Sequence, residues 1–353
     1  MNRSATLRTV LSLAFVGQAP PAELGPQPDA AGRPERPLVV IDADSDAELP
    51  IADRRRVLAA LRGAGAITVA LARRGPVATD LAGAVDLAIG PPGASGPHGG
   101  IQAADPDAAV ADLAARVVEH PVAAVTLAWL LRGSAELPVP EALAAESAAY
   151  STLLAGADFR GWLERRGPAR PPDGAHRVDV ARTGDVLSVV LNRVPRRNAV
   201  DARMRDGLRE ALELALHDPA LTVELSGAGP AFSAGGDLDE FGTASDLALA
   251  HVVRVAASPG AVVHLIRERV TARLHGACVG AGIEIPAFAD RVIAAPDAYF
   301  QLPELGMGLV PGAGGTVSIT RRIGRSRLLW MALTGSRIDV PTALEWGLID
   351  AVG

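Results

Sequence analysis

The chain has 353 residues, of which 49% are hydrophobic, and this is enough to bury one large core or two domains. A net charge of −6, a pI near 5.7 and an aromatic content of 3% exclude the basic face and the base-stacking platforms of a nucleic-acid-binding protein. Lysine is absent, which excludes Schiff-base, pyridoxal-phosphate and P-loop lysines and leaves phosphate contacts to Arg or His.

The N-terminal twenty residues resemble a short signal peptide, since Arg3 and Arg8 precede the apolar run TVLSLAFVG, but they fit a first β-strand equally well. No apolar run is long enough for a transmembrane helix, so we expect no membrane partner. The chemistry of the motifs described below favours a cytoplasmic location. Residues 19–36 are rich in Pro, Ala and Gly, and we interpret residues 1–36 as a flexible N-terminal segment.

An α/β unit follows. PLVVIDAD predicts a strand, IADRRRVLAALRGAG a helix and AITVALARRG a second strand, while residues 107–166 have helical patterns. We therefore assign residues 37–166 to an N-terminal α/β and helical domain. The Pro- and Gly-rich stretch RRGPARPPDGAHR predicts a linker, and we assign residues 176–353 to a catalytic domain.

Two glycine-rich turns distinguish this second domain. GAGPAFSAGG (227–236) follows the strand-like LTVELS, and Gly280–Gly282 precedes the helix-like IEIPAFAD. A glycine turn that opens a helix leaves backbone N–H groups free, and the helix dipole adds partial positive charge there. The single cysteine, Cys278, excludes an intramolecular disulfide, the His residues have no metal-binding spacing, and we interpret Cys278 and His275 as structural.

Four stretches of this domain, in their order along the chain, resemble the crotonase superfamily of enoyl-CoA hydratases and isomerases. They are LNRVPRRNAV (191–200), GAGPAFSAGGDLDEF (227–241), HGACVGAGIEIPAFADRVIAAPDAYFQLPELGMGLVPGAGGT (275–316) and RRIGRSRLLWMALTGSRIDVPTALEWGLID (321–350). The resemblance implies an α/β fold, a crotonase-like β-β-α spiral, here preceded by the smaller α/β and helical domain. It also implies an acyl-CoA substrate, with coenzyme A as part of the thioester and no separate cofactor, and a homo-oligomer, a trimer or hexamer.

The resemblance further implies the site residues. The backbone N–H groups of Gly236 and Ala281 would hold the thioester oxygen, as two donors that stabilise enolate charge. Arg196 and Arg197 lie in the segment that contacts the CoA nucleotide in the family, and Ala234 is also expected to bind CoA. From the residues alone, Arg196 and Arg197 fit a solvated basic pair equally well.

Two glutamates complete the candidate site. Hydration needs one group to take a proton from water and another to deliver one to the α carbon, and two carboxyls that differ in protonation can divide these roles. The resemblance gives the water to Glu284 and the α carbon to Glu304. Taken singly, Glu284 could cap a helix, Glu304 could be a loop acid, and Asp237 is interpreted as a turn residue.

Alternatives stay open at this point. The chain fits double-bond isomerisation, or oxidation or hydrolysis of an aryl-acetyl-CoA, and also a non-catalytic CoA-binding subunit. Family members usually continue past GLID with helices that cover the site, whereas this chain ends at Gly353. Because EALAAESAAYSTLLAGADFRGWLERR (141–166) resembles that region, we expect this segment to supply the cover.

Overall fold

The computed structural model describes residues 10–45, 49–93, 100–171, 173–174 and 176–353; Arg3 and Arg8 of the signal-like stretch lie outside them. The strands are β1 (Val10–Ser12), β2 (Leu38–Asp42), β3 (Ile67–Leu71), β4 (Leu87–Gly90), β5 (Ile101–Gln102), β6 (Val178–Thr183), β7 (Val186–Leu191), β8 (Thr222–Gly227), β9 (Val270–Leu274), β10 (Ala277–Val279), β11 (Arg291–Ala294), β12 (Tyr299–Gln301), β13 (Ile338–Asp339) and β14 (Ala351–Val352).

The α-helices follow the same numbering. They are α1 (Leu13–Val16), α2 (Ile51–Arg62), α3 (Thr79–Ala82), α4 (Pro106–Glu119), α5 (Pro121–Ser134), α6 (Val139–Leu154), α7 (Ala157–Arg166), α8 (Ala202–His217), α9 (Leu247–Ala256), α10 (Pro259–Leu265), α11 (Ala281–Glu284), α12 (Gly315–Ile323), α13 (Arg325–Thr334) and α14 (Val340–Trp346). Contacts divide the chain into two compact units, which are described separately.

The first unit contains the chain up to Arg132 together with Gly324–Thr334. Its five strands form one parallel sheet in the order β1-β2-β3-β4-β5, as the predicted strand–helix–strand pattern requires. Parallel strands covered on both faces are apolar throughout, and all residues of β3 and β4 are buried. The α/β prediction for this part of the chain agrees with the structure.

From Val10 onward, the N-terminal segment that the sequence predicted to be flexible is folded. β1 pairs in parallel with β2, with Val10 opposite Val40. The side chains of Leu13, Val16 and Leu24 are buried in the core of this unit. The interpretation of the N-terminus as a first strand holds for Val10–Ser12, which pair with β2, whereas the following residues Leu13–Val16 form the short helix α1.

The second unit contains Gly133–Ile323 and Gly335–Gly353. A six-stranded sheet has the order β14-β11-β9-β8-β7-β6, in which only the β6–β7 hairpin is antiparallel. A second sheet of this unit has three strands, in the order β10-β12-β13. Repeated strand–strand–helix steps of this kind are the α/β spiral that the motifs predicted.

The boundary between the units falls at Arg132–Gly133, whereas the sequence placed it in the linker between residues 166 and 176. α6 and α7 belong to the second unit because they pack on its loops. Leu143 of α6 lies beside Gly314, and Leu163 of α7 lies beside Gly242. The Pro-rich linker therefore connects two parts of one compact unit rather than two domains.

The helices α9 and α10 form a stretch, Leu247–Leu265, whose length and hydropathy would suit a membrane span, and α4 and α5 together would also suit one but for a bend of 108° between them. The stretch is broken between Ala256 and Pro259, where Ser258 caps α10. It also packs within the second unit, α9 on α6 and α10 on α8. We therefore treat α9 and α10 as two helices of the folded unit.

Candidate active site

Two loops of the second unit run parallel and in register at the predicted oxyanion-binding position. Ser233 bridges Cys278 in parallel, with the Ser233 N–H donating to Ala277 and the Val279 N–H donating to the Ser233 carbonyl. Three residues further along each loop stand Gly236 and Ala281. Among the described residues, neither of their backbone N–H groups donates to a protein acceptor. The two free amides therefore belong to residues at equivalent positions of the two paired loops.

Gly280 brings the second loop into α11 and places the predicted glutamates around one point. Its φ of +49° lies in the left-handed region, which glycine adopts without strain. A Cβ atom at this position would stand 2.6 Å from Oε1 of Glu304 and 3.6 Å from Oε1 of Glu284. Glu284 and Glu304 therefore face the same small space, as predicted, and a side chain at Gly280 would fill it.

Glu284 is held by the loop that precedes α12. Its Oε2 accepts hydrogen bonds from the N–H groups of Ala313 (2.8 Å) and Gly315 (2.9 Å). Glu304 is different, since its Oε2 is buried and has no hydrogen-bond partner among the described residues. Glu284 is 2% exposed and Glu304 7% exposed, so Glu304 is not an exposed loop acid. Glu284 does accept backbone N–H groups at the start of a helix, α12, in agreement with the helix-capping alternative.

A third buried carboxyl, Glu146 of α6, holds the same loop from the other side. Its Oε1 accepts from the N–H of Gly314 (2.7 Å), and its Oε2 accepts from the N–H (2.9 Å) and the hydroxyl (2.6 Å) of Thr316. Glu146 and Glu284 thus take alternate amides of one four-residue turn. Both carboxyls lie at the N-terminal end of α12, where the helix dipole favours negative charge.

The three carboxyls share a site that disfavours ionisation. Burial raises the pKa of Glu284 to about 7, against the lowering effect of its two backbone donors. Burial, with the charge of Glu284 next, raises the pKa of Glu146 to about 8. Burial and then the Glu284 charge raise the pKa of Glu304 well above its usual range. Near neutral pH, Glu284 is the most readily ionised of the three.

The segment expected to cover the site does so. Tyr150 of α6 packs its ring against Gly312, and Asp158 and Phe159 of α7 lie against Gly308. Burial raises the pKa of the Tyr150 hydroxyl, and the neighbouring carboxylates of Glu304 and Glu284 add to this effect. The expectation that residues 141–166 supply the cover is confirmed for these helices.

Buried ion pairs hold the loop that contains Gly236 in place. Arg193 binds Asp237, the residue after Gly236, at 2.6 Å, and Arg193 also reaches Asp201 and Asp173. Asp237 is therefore more than the turn residue that the sequence suggested, because its carboxylate pairs with Arg193 and Asp237 itself is only 4% exposed to solvent. Asn198 adds hydrogen bonds from its amide to the carbonyls of Ala228, Ala231 and Phe232.

The residues expected to bind CoA have different environments. Arg196 pairs with Asp239 at 2.9 Å, so its charge is already compensated. Arg197 is exposed, and its side chain has no ion-pair partner among the described residues. Its carbonyl accepts the N–H of Ala234 at 2.9 Å, which joins the two predicted CoA-binding segments. Arg197 is the one of the two arginines that is available to a phosphate.

Cys278 and His275 have structural roles in this arrangement. Cys278 is fully buried, burial raises the pKa of its thiol, and its sulfur donates weakly to the His275 carbonyl. The His275 ring bonds to the carbonyl of Gly229. Among the described residues no cluster of acidic, His or Cys side chains has the grouping of a metal site.

The sequence patterns did not predict the roles of Glu146 and Tyr150. Glu146 stands in a helix rich in alanine, where an isolated acid is usually solvent-exposed. The pattern did carry one signal, because Glu146 lies between Leu143 and Tyr150 on the helical face that is spaced by three and four residues. A charged residue within an apolar face is a candidate for a buried functional group.

The chain was compared with known proteins. The enoyl-CoA hydratase/isomerase family model matches residues 181–353. The 2,3-dehydroadipyl-CoA hydratase of Escherichia coli (strain K12) is 34% identical, covering 49% of this chain and 68% of the relative. The mitochondrial enoyl-CoA hydratase of Pongo abelii is 31% identical, covering 53% and 69%. The solved enoyl-CoA hydratase of Thermoplasma volcanium GSS1 is 31% identical, with a TM-score of 0.45 and coverage of 50% and 71%.

Proposed function

Because this chain belongs to the enoyl-CoA hydratase/isomerase family, we propose that it adds water across the double bond of a 2-enoyl-CoA thioester. One observation carries the choice of hydration: Glu284 and Glu304 face one point beside Gly280. Hydration requires two proton transfers, one from the water and one to the α carbon, and two carboxyls in one cavity supply both.

The protonation states support a division of labour. With a pKa raised to about 7, Glu284 is ionised in part of the population at neutral pH and acts as the base that orients and deprotonates the water. With a pKa raised further by burial, Glu304 keeps its proton and delivers it to the α carbon. The partnerless Oε2 of Glu304 is consistent with a group that meets the substrate.

The thioester oxygen is assigned to the amides of Gly236 and Ala281. The enolate that forms during hydration places negative charge on this oxygen, and preorganised donors in a closed site stabilise it by about 3 kcal/mol each. Both amides are free of protein acceptors among the described residues, and they follow loops that run in register. Ala281 also begins α11, whose dipole adds to the stabilisation.

The proposal is tested by turnover of a 2-enoyl-CoA, followed by loss of the enoyl-thioester absorbance and by a mass gain of one water. Glu284→Gln and Glu304→Gln keep size and polarity but remove proton transfer, so each is expected to lower the rate by about 10²–10⁴-fold. Glu345→Gln, an exposed acid of the same unit, is the matched control and is expected to retain full activity.

The pattern of losses distinguishes the reactions. Loss with Glu304→Gln alone, with Glu284→Gln nearly silent, would identify a double-bond isomerase, which runs with a single acid. Hydration at the wild-type rate in both variants would rule out the two-glutamate mechanism. Absence of any turnover with intact thioester binding would favour the non-catalytic CoA-binding alternative.

A further inference from the structure

A cavity of about 520 Å³ lies in the second unit, beside the loop that holds Glu284. Its wall includes Glu146 and Ser147 of α6, Arg254 of α9 and the loop Gly312–Gly314. Apolar side chains complete it, among them Leu143 and Val253. The cavity therefore borders the proposed reaction site and is large enough for part of a small-molecule ligand.

The charged residues of the cavity wall are satisfied by the protein, with one exception. Glu146 accepts from the loop amides, and the others with partners are Asp201 with Arg177, Arg205 with Asp206, Glu240 with the Ala202 N–H, and Asp246 with the Ala248 and Leu249 N–H groups. Arg254 is the exception, since no carboxylate of a described residue pairs with it. A cation without an ion-pair partner beside a cavity is available to a ligand.

Arg254 is held in one orientation. Its Nη1 donates to the hydroxyls of Ser147 (2.9 Å) and Ser151 (3.1 Å), and its guanidinium carbon lies 4.6 Å from the centre of the Tyr150 ring. Its Nε and Nη2 have no hydrogen-bond partner among the described residues. Burial lowers the pKa of the guanidinium, which means that its charge is incompletely solvated. The side chain is thus preorganised, with two nitrogens unused.

Tyr150 connects Arg254 with the proposed catalytic acids. Its ring contacts both the guanidinium and Gly312, and its hydroxyl has no hydrogen-bond partner among the described residues. The charge of Arg254 lowers the pKa of that hydroxyl and the charge of Glu304 raises it, so all three groups lie in one neighbourhood. An alkyl chain in this space would leave each of these polar groups without a partner, at a cost of about 1–3 kcal/mol per group.

We propose that the acyl group of the substrate carries an oxygen at its far end, a hydroxyl or a carboxylate, and that Arg254 binds this oxygen through Nε and Nη2. This inference rests on the proposed thioester function and defines its substrate class. Arg254 is then a specificity-determining residue: it selects oxygen-bearing acyl groups over alkyl ones, because a guanidinium binds an oxygen acceptor strongly and gains nothing from a methyl group.

Binding rather than turnover tests the inference, so that it does not depend on hydration. Affinities for three saturated thioesters of equal chain length, hexanoyl-CoA, ω-hydroxyhexanoyl-CoA and adipyl-CoA, are measured by calorimetry with the full chain. We expect at least one oxygen-bearing thioester to bind roughly 10–100-fold more tightly than hexanoyl-CoA, since a hydrogen bond to a charged group has this value. The hydroxyl and carboxylate arms show which oxygen is preferred.

Arg254→Gln is expected to remove this preference while hexanoyl-CoA binding is retained, which also shows that the variant is folded. Arg205→Gln, an arginine of the same wall that is paired with Asp206, is the matched control and should keep the preference. Equal binding of all three thioesters, or a preference that survives Arg254→Gln, overturns the inference alone. If none of the thioesters binds wild-type protein, the proposed function itself fails.

Discussion

Replacing Glu146 by Gln tests whether the third carboxyl is buried and whether its protonation is coupled to folding, as the structure indicates. The folded state raises the pKa of Glu146 from 4.5 to about 8, so the folded protein holds this proton over a pH range in which the unfolded chain has lost it. The free energy of unfolding therefore falls as the pH rises from about 4.5 to about 8. At one pKa unit per ~1.4 kcal/mol, the ionised carboxylate costs on the order of 5 kcal/mol in the folded state.

Gln cannot ionise, but its amide nitrogen only donates, whereas the hydroxyl oxygen of a protonated carboxyl can still accept a hydrogen bond. Gln at this position can accept hydrogen bonds from Gly314 or from Thr316, but not from both. A buried donor is therefore left unsatisfied, at a cost of about 1–3 kcal/mol. At pH 5.5, where wild-type Glu146 is protonated in the folded state, we expect Glu146→Gln to be less stable than the wild type. At pH 9 the variant avoids the ionisation cost, so its deficit should shrink or change sign.

Urea unfolding at the two pH values measures this difference directly. Glu141→Gln is the matched control, because Glu141 lies in the first turn of the same helix and is exposed. It should change the unfolding free energy by less than about 1 kcal/mol, and by the same amount at both pH values. If Glu146→Gln also changes stability equally at pH 5.5 and pH 9, the carboxyl is not buried and proton-linked, and the account of the three acids is wrong.

Three further predictions concern the proposed reaction. Ala281→Pro removes one amide donor at the first position of α11, where proline is tolerated, so kcat should fall by about 10²–10³-fold, whereas Ala281→Gly should stay active; equal activity would exclude this amide from the oxyanion site. Arg197→Ala should raise KM for the thioester roughly tenfold, while Arg196→Ala, which breaks an ion pair, should mainly lower the melting temperature; the reverse result would assign the phosphate contact to Arg196. The pH–rate profile should be bell-shaped, rising near pH 7 as Glu284 ionises and falling at higher pH as Glu304 loses its proton, and a flat profile would contradict these roles.

Local patterns were sufficient to predict most of the elements. The stretch PLVVIDAD predicted β2, IADRRRVLAALRGAG predicted α2 and AITVALARRG predicted β3. The N-terminal segment was interpreted less well, because its composition resembles that of a linker. Its order arises from the pairing of β1 with β2, which are separated by more than 20 residues, and no local window contains that contact.

Only those parts of the site that lie within contiguous sequence motifs were predicted. Glu284 follows the second glycine turn and Glu304 follows Leu302–Pro303; the resemblance implied their roles, and the structure has both beside Gly280. Sequence motifs could not predict that Arg193 pairs with Asp237. They also could not predict that Arg196 pairs with Asp239. Which acid pairs with which arginine depends on loops that meet only in the folded unit, and 21% of the chain is charged.

The role of Glu146 follows from a requirement that the loop before α12 imposes. The four successive N–H groups of residues 313–316 point alternately to two sides of the loop. Glu284 accepts hydrogen bonds only from those of Ala313 and Gly315. The other two are buried and need an acceptor, since an unpaired buried donor is costly. Glu146 is that acceptor, and it lies outside residues 181–353, which the family model matches. In this chain, α6 therefore completes the hydrogen bonding of the loop that holds Glu284, and it brings Tyr150 to the same place.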